Sequence, residues 1–168
     1  SYLEALMQAQ FEEMTRDERV ILMGEDIAVY GGGNLIDQFG RSRVWDTPIS
    51  EGSFTGMGIG AAINGLRPIV DLSYASFLYL ASCQIINQAS KLRFMTGGQV
   101  KIPVVFRCCM FGQGNNAAQH ADRPYPSFMN VPGLKIISPT SAADIKGLMK
   151  SAVRDDDPVL IFEDNRLW

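Results

Sequence analysis

A chain of 168 residues, 46% of them apolar, is close to the ~150 typical of one domain and can bury roughly two thirds of its surface in one core. Its 15 basic and 18 acidic residues give a net charge of -3 without a basic block, which argues against a nucleic-acid partner. Cys83, Cys108 and Cys109 lack CxxC spacing and the lone His120 completes no zinc site with them, so the three read as reduced, intracellular thiols.

Residues 3–14 place Leu3, Leu6, Met7, Phe11 and Met14 on one face at three-and-four spacing, which predicts an amphipathic helix, and "RVILMG" (19–24) follows as a short apolar strand. Gly31, Gly32 and Gly33 then open a loop that runs through "NLIDQFGRSR" to residue 45. A small-residue helix is expected over about 52–64, a strand over 68–73 ("PIVDLS") and a longer helix over about 76–95, stopped by Gly97 and Gly98. Its apolar opening, "SFLYLASCQII", is broken by Ser82 and Gln84 and is shorter than the ~20 residues of a membrane span, so a soluble chain with no membrane contact is expected. "IPVVFRC" (102–108) reads as a strand, 111–133 as a long loop, and "LKIIS" (134–138) as a strand ended by Pro139. Thr140 or Ser141 caps a helix with Asp144 in its first turn and Ile145, Leu148 and Met149 on its apolar face, and "PVLIF" (158–162) is the last strand. Nearly continuous apolar strands alternating with helices give an α/β fold: a parallel sheet with helices on both faces and ligands at the carboxyl ends of its strands. The start "SYLEAL", without an initiator Met, reads as a processed or trimmed chain.

"GMGIGA" satisfies a dinucleotide-binding glycine pattern through Gly56, Gly58 and Ala61, with Asp71 downstream. That pattern requires a strand directly before it, whereas 42–50 contains Pro48 and no convincing apolar run. The preferred reading is a flat helix face at Gly56, Gly60 and Ala61 for close packing. Glu51 falls at the first turn of this helix with Ser50 as its cap, and spacing alone leaves it between a solvated dipole partner and a group held in a cleft for proton transfer. His120 by itself reads as a polar loop residue and Phe77 as a core residue.

Taken together, "MGEDIAVYGG", "DTPISEGSFTGMGIGAAINGLRPI", "INQASKLRFMTGG", "PVVFR", "AAQHAD", "VPGLKIISP" and "DIKGLMKSAVRDDDPVLIFE" resemble the beta subunit of the thiamine-dependent first component of 2-oxo acid dehydrogenase complexes. The pyruvate and acetoin types resemble it best, over essentially the whole chain. The resemblance implies a transketolase-like pyrimidine-binding domain over 1–168, with the family's C-terminal domain absent from the chain, in an enzyme that decarboxylates a 2-oxo acid or cleaves acetoin and passes the acyl group to a lipoyl group. It implies thiamine diphosphate as cofactor, with the diphosphate and Mg2+ held by a Gly-Asp-Gly motif of an alpha subunit; this chain has no Gly-Asp-Gly. Implied partners are that alpha subunit, a second beta subunit in a heterotetramer, and the lipoyl acyltransferase core. The implied compartment is the bacterial cytoplasm, or the mitochondrial matrix or plastid in a eukaryote, with the bacterial one favoured.

Residue by residue, Glu51 matches the family glutamate that hydrogen-bonds N1′ of the cofactor's aminopyrimidine, and a proton-sharing carboxyl there needs burial. Ile49 and Phe77 match residues lining the pyrimidine, and Ile49 is expected to help shelter Glu51. His120 matches the histidine near the reacting carbon, and Glu25 a carboxylate behind the catalytic glutamate. A monovalent cation, K+, would be held by carbonyls of Val104, Ala152 and Val153 and by Asp155 and Asp157, relieving three consecutive acids after a helix; a solvated acidic turn is the alternative. Two other readings stay open: a nicotinamide-binding dehydrogenase domain and an inactive assembly domain.

Overall fold

The structure is a computed structural model and describes residues 1–29, 32–112 and 117–168. The chain runs α1 (Tyr2–Arg16), β1 (Val20–Glu25), α2 (Gly33–Phe39), β2 (Val44–Thr47), α3 (Glu51–Ile63), β3 (Arg67–Tyr74), α4 (Leu78–Cys83), α5 (Ser90–Met95), β4 (Val105–Met110), α6 (Tyr125–Phe128), β5 (Lys135–Ile137), α7 (Ala142–Arg154) and β6 (Val159–Asp164). A 3-10 turn at Ala75–Phe77 leads into α4, and a π-helical segment, Gln84–Ala89, joins α4 to α5, so the helix expected over 76–95 is continuous but unevenly wound. The six strands form one sheet in the order β2-β1-β3-β4-β6-β5, and every pair is parallel.

Alternation along the strands divides the core in two. Met23, Val70, Phe106 and Leu160 face α3 and the helical stretch 75–95. Their neighbours Leu22, Ile69, Val105 and Ile161 face α1 and α7. All six residues of β1 are buried, as expected for a strand covered on both sides. α1 and α7 are clasped by Glu12 with Lys146 and Lys150, and by the buried Glu13, which also pairs with Arg16 of its own helix, with Arg154. Ser141 is the cap of α7, accepting from the Asp144 N–H at 3.1 Å.

Several expectations are corrected. The segment read as a loop between the glycines and residue 45 contains α2 and β2; Gly31 lies outside the described residues. Leu35 is buried against the α1 face and Val44 pairs with Leu22 of β1, so packing and strand pairing override a glycine-rich, short-period sequence. Arg43 fixes this corner by donating to the carbonyls of Met14, Asp17 and Val20. In α1, Phe11 is exposed and stacks on Phe39 instead of entering the core. The strand expected over 102–108 begins at Val105, and the loop 111–133 contains a 3-10 turn (Ala118–His120) and α6, with 113–116 outside the described residues.

The glycine face of α3 also differs. A strand, β2, does precede it, separated by Pro48–Ser50, but the glycine that meets the sheet is Gly58: a Cβ there would lie 2.5 Å from Val70 Cγ2. Gly56 faces the Gln84 side chain, and a Cβ on Gly60 would meet nothing. Gly58 is therefore spent on helix-to-sheet packing, so the second glycine of the pattern is not free to bring backbone up to a pyrophosphate, which weighs against the nicotinamide reading.

One charged cluster sits within the sheet. Arg107 of β4 pairs with Asp71 of β3 on one side and forks onto Glu163 of β6 on the other, at 2.6 and 3.0 Å. Glu163 is fully buried; burial pushes its carboxyl above the usual range and the guanidinium pulls it back.

Candidate active site

Glu51 opens α3 immediately after the link from β2, at the carboxyl end of the sheet. A solvated first-turn acid would be exposed; Glu51 is 6% exposed. Ser50 occupies the cap position but makes no side-chain cap bond among the described residues, its hydroxyl donating instead to the Pro48 carbonyl at 3.1 Å. Ile49, two residues before Glu51, is 76% exposed and presents an apolar side chain to its surroundings.

The second carboxyl is Glu25, the last residue of β1, 5% exposed. Its Oε2 is buried without a hydrogen-bond partner among the described residues. Its pKa is raised to about 7, first by burial and then by the negative charges of Glu51, Asp26 and Asp71. The two glutamates thus interact through space, in the manner of paired carboxyls that resist carrying two charges at once. The sign of the effect on stability follows. With the folded pKa above the unfolded one, the folded chain binds more protons between pH ~4.5 and ~7, so this group's contribution falls as pH rises through that window. Glu25→Gln is expected to raise the melting temperature at pH 8 and to leave it unchanged near pH 4; an equal effect at both pH values, read by calorimetry, would remove Glu25 as the titrating group.

His120 stands in the 3-10 turn Ala118–His120 and meets two rings edge-on, Tyr74 at 4.7 Å and Phe77 at 5.2 Å between centroids. Phe77 is half-buried at the end of the turn after β3, so it serves neither as a pure core residue nor as an exposed one. The sequence did not point to the groups that hold this arrangement. Tyr74 follows Ser73, whose φ of +56° accompanies the irregularity between β3 and β4 at Asp71/Tyr74; a non-glycine residue in that region is uncommon and clusters at functional sites. The Ser76 hydroxyl accepts from the Asp122 N–H at 3.3 Å, and Arg123 pairs with Asp164 at 3.0 Å. These contacts tie the His120 turn to the ends of β3 and β6.

The acidic turn after α7 is far from this site along the strands and is occupied by protein cations. Lys135 donates to Asp155 and Asp157, Arg93 pairs with Asp157, and Arg67 donates to the carbonyls of Val153 and Asp155 at 2.7 and 2.6 Å. The Val104 and Ala152 carbonyls accept from the N–H groups of Val159 and Asp155. Among the described residues no cluster of three or more His, Cys, Asp or Glu could hold a metal, and no helix is long and apolar enough to cross a membrane. All three cysteines are free thiols.

The family described as the pyrimidine binding domain of transketolase matches residues 1–168. The chain is 46% identical to the pyruvate dehydrogenase E1 component subunit beta of Rickettsia felis, over 98% of this chain and 52% of that one. It is 43% identical to the 2-oxoisovalerate dehydrogenase subunit beta of Bacillus subtilis, over 100% and 53%, and 44% identical to a mitochondrial pyruvate dehydrogenase E1 beta subunit of Oryza sativa, over 98% and 46%. The chain therefore spans about half the length of these relatives. Among solved structures, a split gene transketolase described as an inactive beta4 tetramer superposes with a TM-score of 0.79 at 20% identity, over 96% of this chain and 50% of that one, a likeness of fold.

Proposed function

Because the chain belongs to the transketolase pyrimidine-binding domain family, we propose that it supplies the beta-subunit half of the active site of a thiamine diphosphate-dependent 2-oxo acid dehydrogenase. The observation that carries the proposal is the pair of buried, interacting carboxyls, Glu51 at the start of α3 and Glu25 at the end of β1. The relatives named above act on pyruvate or 2-oxoisovalerate by their names, and a 2-oxo acid of this kind, or acetoin, is the proposed substrate.

The residues present fit the aminopyrimidine end of the cofactor. Glu51 is held out of bulk water, Glu25 Oε2 is buried without a partner among the described residues, and Phe77 and Ile49 offer a half-buried ring and an exposed aliphatic surface. Nothing in the sequence matches the Gly-Asp-Gly that would hold the diphosphate and Mg2+, so an alpha subunit is proposed to supply them. When bound, thiamine diphosphate supplies a carbon nucleophile and an electron sink for decarboxylation. Glu51 would hold the ring nitrogen N1′ of the aminopyrimidine and share its proton with it. Glu25, with a pKa of about 7, limits the charge that accumulates beside Glu51. Ile49 and Phe77 exclude water from the ring faces. His120, fixed by Tyr74 and Phe77, would supply a proton to a sulfur of a lipoyl acceptor. A second beta chain and the lipoyl acyltransferase core complete the proposed assembly, and the bacterial cytoplasm is the proposed compartment.

Reconstitution with an alpha subunit tests this. The chain alone is expected to bind thiamine diphosphate and Mg2+ weakly or not at all, and the pair to bind both and decarboxylate the 2-oxo acid. Within the pair, His120→Ala is expected to slow transfer to lipoamide more than decarboxylation. Tight cofactor binding by the chain alone would overturn the half-site, and equal losses in the two half-reactions would remove the role of His120.

A K+ ion at the acidic turn is a smaller proposal. The Val104, Ala152 and Val153 carbonyls and Asp155 and Asp157 are hard oxygen donors suited to such an ion, and each carbonyl keeps a second lone pair beyond the bond described. Because Lys135, Arg93 and Arg67 already offset the carboxylates, KCl is expected to raise the melting temperature over choline chloride by only a few degrees, and Asp155→Ala to abolish the difference. Identical melting in both salts with the unsubstituted chain would return the turn to its protein cations alone.

A further inference from the structure

On the sheet face opposite α3, the carboxyl ends of β1, β3 and β4 and the start of α1 enclose a cavity of about 390 Å3, within the size range of small-molecule sites. Glu51, Ile49, Phe77 and His120 are not among its walls; Glu25 is. Tyr74, Phe111 and Trp168 line it as a continuous aromatic band, with centroids 4.5 Å apart for Tyr74 and Phe111 and 5.6 Å for Phe111 and Trp168. Glu25, Asp26 and Asp71 bring three carboxyl groups to the same space, against a single guanidinium, Arg107, which is already paired to Asp71 and Glu163.

Two wall residues carry unspent hydrogen-bonding capacity. Glu25 Oε2 and Gln10 Nε2 are buried without partners among the described residues, and both side chains are more than nine-tenths buried. An orphaned carboxyl oxygen calls for a donor and an orphaned amide N–H for an acceptor, each at a cost of about 1–3 kcal/mol when unmet. Aromatic faces beside carboxylates attract cations with an apolar body, whereas three carboxyls repel a carboxylate ligand such as a 2-oxo acid.

We infer that this cavity binds a small organic cation: an ammonium group donating to Glu25, an apolar body against Tyr74, Phe111 and Trp168, and an acceptor such as a hydroxyl or carbonyl facing Gln10. The site shares only Glu25 with the proposed active site and does not depend on that assignment. Glu25 is also faced by Glu51 from α3, Asp26 from the turn after β1 and Asp71 from β3, and Arg107 of β4 lines the same cavity. All three neighbours named first disfavour its ionised form, and an incoming cation favours it, so binding releases a proton and tightens as pH rises through about 7.

The test uses the complete polypeptide and 2-phenylethylamine as probe, with neutral 2-phenylethanol and anionic phenylacetate of similar shape as controls. Calorimetry on the unsubstituted protein gives the affinity of each. The amine is expected to bind at least about tenfold more tightly than the alcohol, with phenylacetate weaker still, and to gain about tenfold between pH 6 and pH 8. Asp26 has a φ of +55°, a conformation that asparagine tolerates, so Asp26→Asn keeps the fold and is expected to weaken the amine several-fold. Equal affinities for amine and alcohol would overturn the inference, as would the absence of saturable amine binding by calorimetry at pH 8.

Discussion

Glu51→Gln in the assembled enzyme is expected to slow proton exchange at the reactive carbon of bound thiamine diphosphate by about 100- to 10,000-fold, which corresponds to about 2.7 to 5.5 kcal/mol of barrier. The substitution keeps the shape of the side chain and its capacity to accept a hydrogen bond, but removes the proton that N1′ requires. A helix-start acid makes the opposite forecast: loss of about 0.3 to 1 kcal/mol of stability and nearly intact catalysis. The burial of Glu51 beside Glu25 favours the first outcome, since a group so placed gains little from water and loses little stability when its charge is removed. Deuterium exchange and melting temperature measured on the same samples separate the two. Unchanged exchange with a lowered melting temperature would leave Glu51 as a helix-start residue.

The largest effect on stability is expected at Arg107→Met. This change fills much of the same volume but leaves Asp71 and the buried Glu163 without their shared cation, and breaking one side of a buried ion pair costs about 3–5 kcal/mol. For a chain of this size each kcal/mol moves the melting temperature by about 2–4 °C. The penalty has a pH signature. Orphaned in its buried position, Glu163 has a folded pKa above its unfolded one, so the loss is full at pH 8 and shrinks as pH falls through the carboxylate range, below which Glu163 is protonated in either state. Adding Asp71→Asn and Glu163→Gln to Arg107→Met is expected to recover part of the loss at pH 8. A penalty independent of pH would assign the effect to packing instead of charge.

The parallel sheet was legible because β1, β3, β4 and β6 are apolar runs that need cover on both sides, and α1, α3 and α7 carry helical spacing or caps. β2 and α2 were not, because four residues of an edge strand and seven residues behind a glycine tract carry too little periodicity; their stability comes from the partners Leu22 and Leu35 find in space. In the site, the type of residue was readable and its state was not. Glu51 looks the same in sequence whether it is solvated or enclosed, and only the tertiary approach of β1 brings Glu25 near it. The packing role of the α3 glycines was readable as a class, but sequence favoured Gly60 where the sheet selects Gly58, because the phase of a helix against a sheet depends on the side chains across from it.

The π-helical segment Gln84–Ala89 gives the chain a tolerance for change in length that its other helices lack. A π wind holds one residue more than an α-helix over a similar rise, and here it lies between Gln84, which packs on Gly56, and Ser90, whose carbonyl abuts Gly133. Asn87 and Gln88 within it are exposed. Losing one of them converts the segment to regular α-helix while the flanking contacts keep their phase, whereas a one-residue deletion inside α3 would turn Gly58 away from Val70 and present a side chain to the sheet. Insertions and deletions accumulated over evolution should therefore be found at this turn and not in α3.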